Sequence, residues 1–433
     1  MKPTMNRTAT LRRAAAALSL LLASRAEALS LHEAAAQALQ QDPRLAAAHL
    51  DASGSATDVE AARAGYRPSL SASVLGGRSR LYTNAQFPQP GPRNPLSWGL
   101  VASQPLYSGG LVGAQVDAAQ ARQDSAAQNE IATAQQLLFA AASAWLDVKR
   151  DRAVIGLNES NLQRLEQALT DSRKRLAAGE ATRADVAQAE SRLAEAGAAL
   201  QRARAAEAVD AAAYERVVGA APGIGPDALP GGWPQPQVPA TLAEALAVSG
   251  DTPAVRAADA EDRAAKARIA VEQAGHRPKL SLEAEANDAD DSTFTYDRQT
   301  YWSVQLKASL PIYAGGAVAS RVSAARAGAS AAEARAADSR RASNEAITQA
   351  WAQHQSSAQV IAAYEAAVKA SELALDSVQR EQAVGTRTTL DLLDAQRELL
   401  AARVNLAASL HDRSLAALEL LAATGRLTLA AIP

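Results

Sequence analysis

The chain of 433 residues contains no cysteine, so it has no disulfide and no thiol acceptor for a lipid anchor. Aromatic side chains make up only 4% of it, and Phe occurs three times. A thick mixed core needs such side chains to fill it. With so few of them and so much Ala, close helix-on-helix packing is the favoured architecture. Five histidines, His32, His49, His276, His354 and His411, are scattered, and no phosphate loop or nucleophile elbow is present. The residues therefore give no support to an enzyme, a cofactor or a metal centre. Basic charge is not in excess either, since the formal net charge is −2, which argues against nucleic acid as a partner. After residue 28 no apolar run approaches the roughly 20 residues of a membrane-spanning helix, so a membrane role would have to use strands.

What is present begins at the N-terminus. Lys2, Arg7, Arg12 and Arg13 precede an apolar run from Ala14 to Ala23, and Ala26-Glu27-Ala28 fits a small-x-small cleavage site. Residues 1–28 are thus predicted to be a signal peptide that directs export. Its removal takes five basic side chains and one acidic one, moving the net charge from −2 to −6.

The rest of the chain is a duplication. Gly65-Tyr66-Arg67-Pro68-Ser69-Leu70-Ser71 recurs as Gly275-His276-Arg277-Pro278-Lys279-Leu280-Ser281. Pro105-Leu106-Tyr107-Ser108-Gly109-Gly110 recurs as Pro311-Ile312-Tyr313-Ala314-Gly315-Gly316, an offset of 206. The same offset maps Trp145 onto Trp351, Gly179 onto Gly385, Asp185 onto Asp391 and Gly219 onto Gly425 without an insertion. The predicted organisation is a first repeat over residues 29–220, a Pro- and Gly-rich linker over 221–239, and a second repeat over 240–433.

Each repeat reads as a helix, a strand pair around a loop, and a long helical hairpin. The strand pairs are predicted at about 68–83 with 96–107 and about 278–287 with 300–312. Trp302, Val304, Leu306, Ala308, Leu310 and Ile312 alternate with Ser303, Gln305, Lys307 and Ser309. Leu70, Ala72 and Val74 alternate with serines, and Trp98, Leu100 and Ala102 continue the pattern, with Gln104 as an exception. Tyr66, Tyr82, Trp98, Tyr107, Tyr301, Trp302 and Tyr313 gather around these strands in a chain otherwise poor in aromatics, as in the girdles at membrane interfaces. A soluble sheet with one exposed face is the alternative reading.

The helical hairpins are predicted at about 111–217 and 316–424. Ala134, Ala141, Val148, Ile155, Leu162, Leu169 and Leu176 fall at every seventh position, as do Leu392, Leu399 and Leu406, which implies coiled-coil packing. A helix from about 111 to 176 would be roughly 100 Å long, too long for one globular core. Pro68, Pro105, Pro278 and Pro311 mark four joints where strand gives way to helix, and the glycine pairs 109–110 and 315–316 permit the bend.

Four strands cannot close a barrel, and an open sheet in lipid would leave two unsatisfied edges. Two copies would give eight strands with an interior filled by side chains; three would give twelve around a lumen, so a trimer is the smallest conducting assembly.

The mature chain, from about Leu29 to Leu427, resembles the TolC-like outer-membrane factors. The sharpest match is Val384-Gly385-Thr386-Arg387-Thr388-Thr389-Leu390-Asp391-Leu392-Leu393-Asp394-Ala395-Gln396, supported by the two strand–helix joints ending in Gly-Gly. The resemblance implies a mainly α chain with membrane β. Its trimer would form a 12-stranded transmembrane β-barrel continuous with a long periplasmic α-helical coiled-coil barrel. It also implies a place in the outer membrane, a periplasmic adaptor, and an inner-membrane pump of the ABC, RND or MFS type. The function implied is the exit duct of a tripartite efflux or type I secretion system. The alternative, a periplasmic coiled-coil adaptor, would share the heptads but not the strand pairs, and would have one helical hairpin instead of two.

On this reading the periplasmic tip is formed by the two helix turns, with Gly179, Thr182, Gly385 and Thr388 as adaptor contacts. Thr182-x-x-Asp185 and Thr388-x-x-Asp391 also read as capping boxes, which is a complete structural account of both aspartates. Asp394 has Gln188 as its repeat-mate and no capping role. Spaced i, i+3, Asp391 and Asp394 share a helix face, and threefold symmetry would gather six carboxylates into a cation-attracting ring at the gate; a solvated acidic surface is the alternative. The family's closed tip is held by a tyrosine, an arginine, a threonine and aspartates. Arg387 and Asp185 match as gate-closing contacts, while Gln382 stands at the tyrosine position and Ala184 at the threonine position.

Overall fold

The computed structural model describes residues 29–82, 84, 91–222, 232–291 and 297–433. The predicted signal peptide, parts of both strand-connecting loops and residues 223–231 of the linker lie outside this set. The first repeat contains α1 (Leu31–Gln41), α2 (Pro43–Ala64), β1 (Ser69–Gly76), β2 (Ser79–Leu81), β3 (Gly91–Arg93), β4 (Leu96–Tyr107), α3 (Leu111–Ala177) and α4 (Arg183–Val218). The second contains α5 (Leu242–Leu246), α6 (Pro253–Gln273), β5 (Lys279–Asp290), β6 (Arg298–Ser309), α7 (Ala317–Ala383) and α8 (Thr389–Ala423). Both long outgoing helices, α3 and α7, have 67 residues, as the duplication requires.

The opening helix of each repeat departs from expectation, because it is broken in two. Pro43 and Pro253 start α2 and α6. Proline has no N–H to return to residue i−4 and its ring clashes there, so each helix before it must stop. Equivalent close approaches occur after the break: a Cβ on Gly65 would meet Val112 at 3.0 Å, and one on Gly275 would meet Val318 at 3.1 Å.

The described residues form two compact units, with α3 dividing after Ile131 and α7 after Ala342. One unit comprises residues 47–131 and 253–342 and holds a four-stranded antiparallel sheet in the order β1-β4-β5-β6. The two hairpins meet at β4 and β5, leaving β1 and β6 as edges. Register places Leu70 opposite Ala102, Ala72 opposite Leu100, Ala284 opposite Val304 and Leu282 opposite Leu306, so these apolar residues of all four strands share one face. That face is open: Trp302 is 79% exposed, Val304 59% and Leu306 65%. The opposite face carries Ser71, Ser103, Glu283, Gln305 and Lys307. Gln104, the exception in the pattern, is satisfied where it stands, its amide donating to Tyr66 O at 2.9 Å and Pro105 O at 2.8 Å.

The strand ends differ from the predicted ones for local reasons. β1 stops at Gly76, whose partner Leu96 is preceded by Pro95, and residues 79–81 pair instead with 91–93 in a separate two-stranded ribbon. Conversely, β5 continues to Asp290, opposite Arg298. Nor does Pro105 mark a strand–helix joint. It lies inside β4, beyond the last pair with β1 and beside a bulge between Pro105 and Tyr107, so it interrupts only one ladder. Pro68 and Pro278 stand immediately before β1 and β5, and Pro311 follows the end of β6. The turn into each long helix is made by Gly109 and Gly110 (φ 70° and 81°) and by Gly315 and Gly316 (φ 58° and 81°). Tyr66, Tyr107 and Tyr313 lie at the helix-proximal end of the strands, Trp98 and Trp302 toward the loop end, and all five are exposed.

Among the described residues, the other unit comprises 29–46, 132–222, 232–252 and 343–433. Its core forms around Trp145, 1% exposed, whose Nε1 donates to Leu29 O at 2.9 Å. Ala34, Ala35 and Ala38 of α1, Tyr214 and Val218 of α4, and Leu418 of α8 pack there. The repeat-equivalent cluster joins Ala245 of α5, Ile347 of α7 and Leu420 of α8, with Trp351 against it. The segment predicted as linker is partly structural, since Trp233 and Val238 pack onto these cores.

The apolar face yields a test. Val304→Arg places a guanidinium on it, at a cost of about 2–4 kcal/mol near a bilayer midplane, whereas Gln305→Arg places one on the polar face. Membrane fractionation with heat-modifiable gel mobility should show loss of the folded membrane form for V304R and near-normal yield for Q305R.

Candidate functional site

Both helix turns are built alike. At the end of α3, Gly179 takes φ 80°, its N–H donates to Leu176 O at 3.0 Å, and Glu180 N donates to Arg175 O at 2.8 Å. At the end of α7, Gly385 takes φ 83°, with Gly385 N donating to Gln382 O and Thr386 N to Glu381 O, both at 3.0 Å. This crossed pair of bonds satisfies carbonyls the helix leaves open, and it requires a left-handed residue. A Cβ at either glycine would meet no atom within 4 Å, so conformation rather than space demands glycine.

The return helices start from full capping boxes. Thr182 N donates to Asp185 Oδ2 at 2.7 Å and Asp185 N to Thr182 Oγ1 at 3.2 Å; in the second turn the same bonds measure 2.9 and 3.2 Å between Thr388 and Asp391. The backbone N–H bonds, then the threonine hydroxyls, hold both carboxyls below the usual aspartate range. The capping function expected of both aspartates is therefore in place.

The remaining residues of the expected gate have local partners. Arg387 Nε donates to Glu381 Oε2 at 2.8 Å within its own turn, and no bond joins it to Asp185 among the described residues. Asp394 lies one turn beyond Asp391 on α8 and accepts from Arg192 of α4 at 3.1 Å, with Arg397 at 3.8 Å. Neither Glu381 nor Arg192 stood out in the sequence. The available signal was the pairing of repeat positions: 188 and 192 are Gln and Arg, whereas their mates 394 and 398 are Asp and Glu. Such an exchange of charge suits a contact between repeats.

Packing supports the same contact. Leu393 of α8 joins Leu165 and Leu169 of α3 and Ala189 and Ala196 of α4 in one buried cluster, while Leu392 and Leu399 pack with Leu375 of α7. The two turns consequently flank a cleft of about 680 Å³, lined by Arg175 and Glu180 on one side and by Gln382, Val384 and Gly385 on the other, with Leu392 beneath. Gln382 thus lines the cleft. No group of three or more metal-ligating side chains occurs among the described residues.

Two tandem hairpins, each preceded by a strand pair, match the family model of the outer membrane efflux proteins over residues 34–220 and 247–426. The chain belongs to this family. Among curated proteins, this outer membrane efflux protein is 30% identical to the outer membrane efflux protein BepC of Brucella suis over 374 residues, covering 86% of this chain and 80% of that one. It is 29% identical to the protein CyaE of Bordetella pertussis over 415 residues, covering 94% and 86%. Its fold matches the solved outer membrane protein VceC of Vibrio cholerae with a TM-score of 0.77 at 22% identity, over 91% of this chain and 96% of that one. The adaptor alternative is thereby set aside, and the family is one of export channels.

Removing a cap should loosen one return helix without unfolding the chain. Thr182→Ala is expected to cost about 1 kcal/mol at the start of α4. Hydrogen exchange should speed up in residues 183–188 while the core around Trp145 keeps its protection.

Proposed function

We propose that this outer membrane efflux protein acts as a homotrimer whose three sheets close one barrel in the outer membrane. In this reading its helical hairpins extend into the periplasm, meet a periplasmic adaptor at the turns, and complete an exit duct for an inner-membrane pump of the ABC, RND or MFS type. The observation that carries it is the four-stranded sheet with a continuous exposed apolar face and two open edges, β1 and β6. In hydrocarbon each unpaired backbone group costs several kcal/mol, so the edges must be paired by further copies. Three copies supply twelve strands, enough to leave a lumen. Native mass spectrometry of detergent-extracted protein should give three chains; a stable monomer would overturn the reading.

Gly179, Thr182, Gly385 and Thr388 are proposed as the adaptor-facing turns, Asp185 and Arg387 as gate-closing contacts, and Asp391 with Asp394 as a carboxylate ring. Asp391 commits Oδ2 to its cap, and Asp394 shares its charge with Arg192. Cation preference therefore depends on both residues of each chain. In planar bilayers Arg387→Ala or Asp185→Ala should raise conductance, and Asp394→Asn should lower the preference for K⁺ over Cl⁻. Unchanged conductance in both gate variants would remove those two residues from the gate. For the cargo, deletion of the chain followed by drug susceptibility and analysis of the secreted proteins separates efflux from secretion.

A further inference from the structure

Away from the turns, the unit built on Trp145 contains an ionic cluster that neither the duplication nor channel function accounts for. His411 of α8, its side chain 6% exposed, sits between two carboxylates: Nδ1 lies 2.9 Å from Asp412 Oδ1 and Nε2 lies 3.0 Å from Asp147 Oδ1 of α3. The Asp147 contact is too bent for a straight hydrogen bond, and the attraction there is ionic. A neutral imidazole has one N–H and one lone pair, so it would turn a lone pair on one of the two carboxylates. Only the imidazolium suits both.

The groups around this ring are charged or aromatic. Arg150 of α3 pairs with Asp147 at 2.8 Å, with Asp151 at 2.8 Å and with Asp210 of α4 at 2.9 Å. From the segment between the repeats, Trp233 meets His411 edge to face, with ring centres 6.5 Å apart and an interplanar angle of 87°. Lys149 lies over the Trp233 ring, 5.8 Å from its centre, and also over Trp145, at 5.0 Å. Gln235 donates to Ser414 Oγ at 3.5 Å, one turn along α8. At the repeat-mates of Asp147, Arg150, Asp151, Asp210, His411 and Asp412 stand Gln353, Ser356, Ser357, Ala416, Ala205 and Ala206. Trp145 was copied, or kept, as Trp351, yet all six charged or titratable positions have neutral mates.

We propose that His411 is a proton-dependent clamp: charged, it ties α8 of the second repeat to α3 of the first and holds Trp233 of the inter-repeat segment against its ring. Loss of its proton leaves a lone pair against a carboxylate and frees residues 232–239 from their seat.

The titration of neighbouring groups agrees in sign. Burial pulls His411 down, but the contacts with the Asp147 and Asp412 carboxylates outweigh it and raise the imidazole above the ordinary histidine value. Its contribution is therefore complete below that value and is lost as pH rises through the raised one. Burial also pushes Asp151 up to about 6, against the pull of Arg150. The cost of keeping Asp151 charged builds up as pH rises toward that value and is complete above it, so the change across the higher range comes from His411.

The test is hydrogen exchange by mass spectrometry on the full detergent-extracted chain, between pH 6 and 9 and corrected for intrinsic rates. In the wild type, protection of peptides spanning 232–239 and 408–416 should fall as pH rises. His411→Gln should show the low protection at both ends of the range. Asp412→Asn alters a largely exposed carboxylate, is not expected to disturb folding, and should move the loss of protection to lower pH. Equal protection of the wild type at both pH values would overturn the clamp, as would a His411→Gln profile that still follows pH like the wild type.

Discussion

Backbone hydrogen bonding at strand edges is the constraint on which this molecule depends. Helices satisfy their own N–H and C=O groups, so α3 and α7 are limited in length only by their packing partners. Strands β1 and β6 have one open side each, and the face that runs across all four strands is apolar and exposed. Water could satisfy the edges but not the face, and hydrocarbon could satisfy the face but not the edges. Lipid together with further copies of the chain satisfies both. The proposed trimer follows from that conflict rather than from any one residue.

Duplication supplies economy, and its departures mark where the two halves do different work. Glycine turns, capping boxes, the central tryptophan and the 67-residue helices recur in both repeats. The charges do not. Arg192 of the first repeat reaches Asp394 of the second, and Asp147 reaches His411. Each pair ties one repeat to the other at positions whose mates carry different chemistry. Two identical repeats would place the same charge on both sides of such a contact, so asymmetric substitution is the simplest way to make them adhere.

Much of the fold was legible because its signals are local. A left-handed turn after a long helix calls for glycine, and Gly179 and Gly385 stand there. Thr-x-x-Asp closes a capping box within four residues, and strand alternation reports a two-sided environment. Local signals also misled in places. Pro105 reads as a joint, yet β4 continues past it because only β5 still pairs there. The proline-rich linker reads as spacer, yet Trp233 is built into a core.

By itself the sequence determined the repeats, the succession of strand pair and long helical hairpin in each, the hairpin turns and the two-faced strands. All of these depend on residues close together in the chain or on periodicity along it. Tertiary structure alone decided the strand order β1-β4-β5-β6, the cleft between the turns, and the partners of Asp394, Arg387 and His411. Those depend on which surfaces meet across the fold, and a charged side chain on a long helix has several reachable partners until packing selects one.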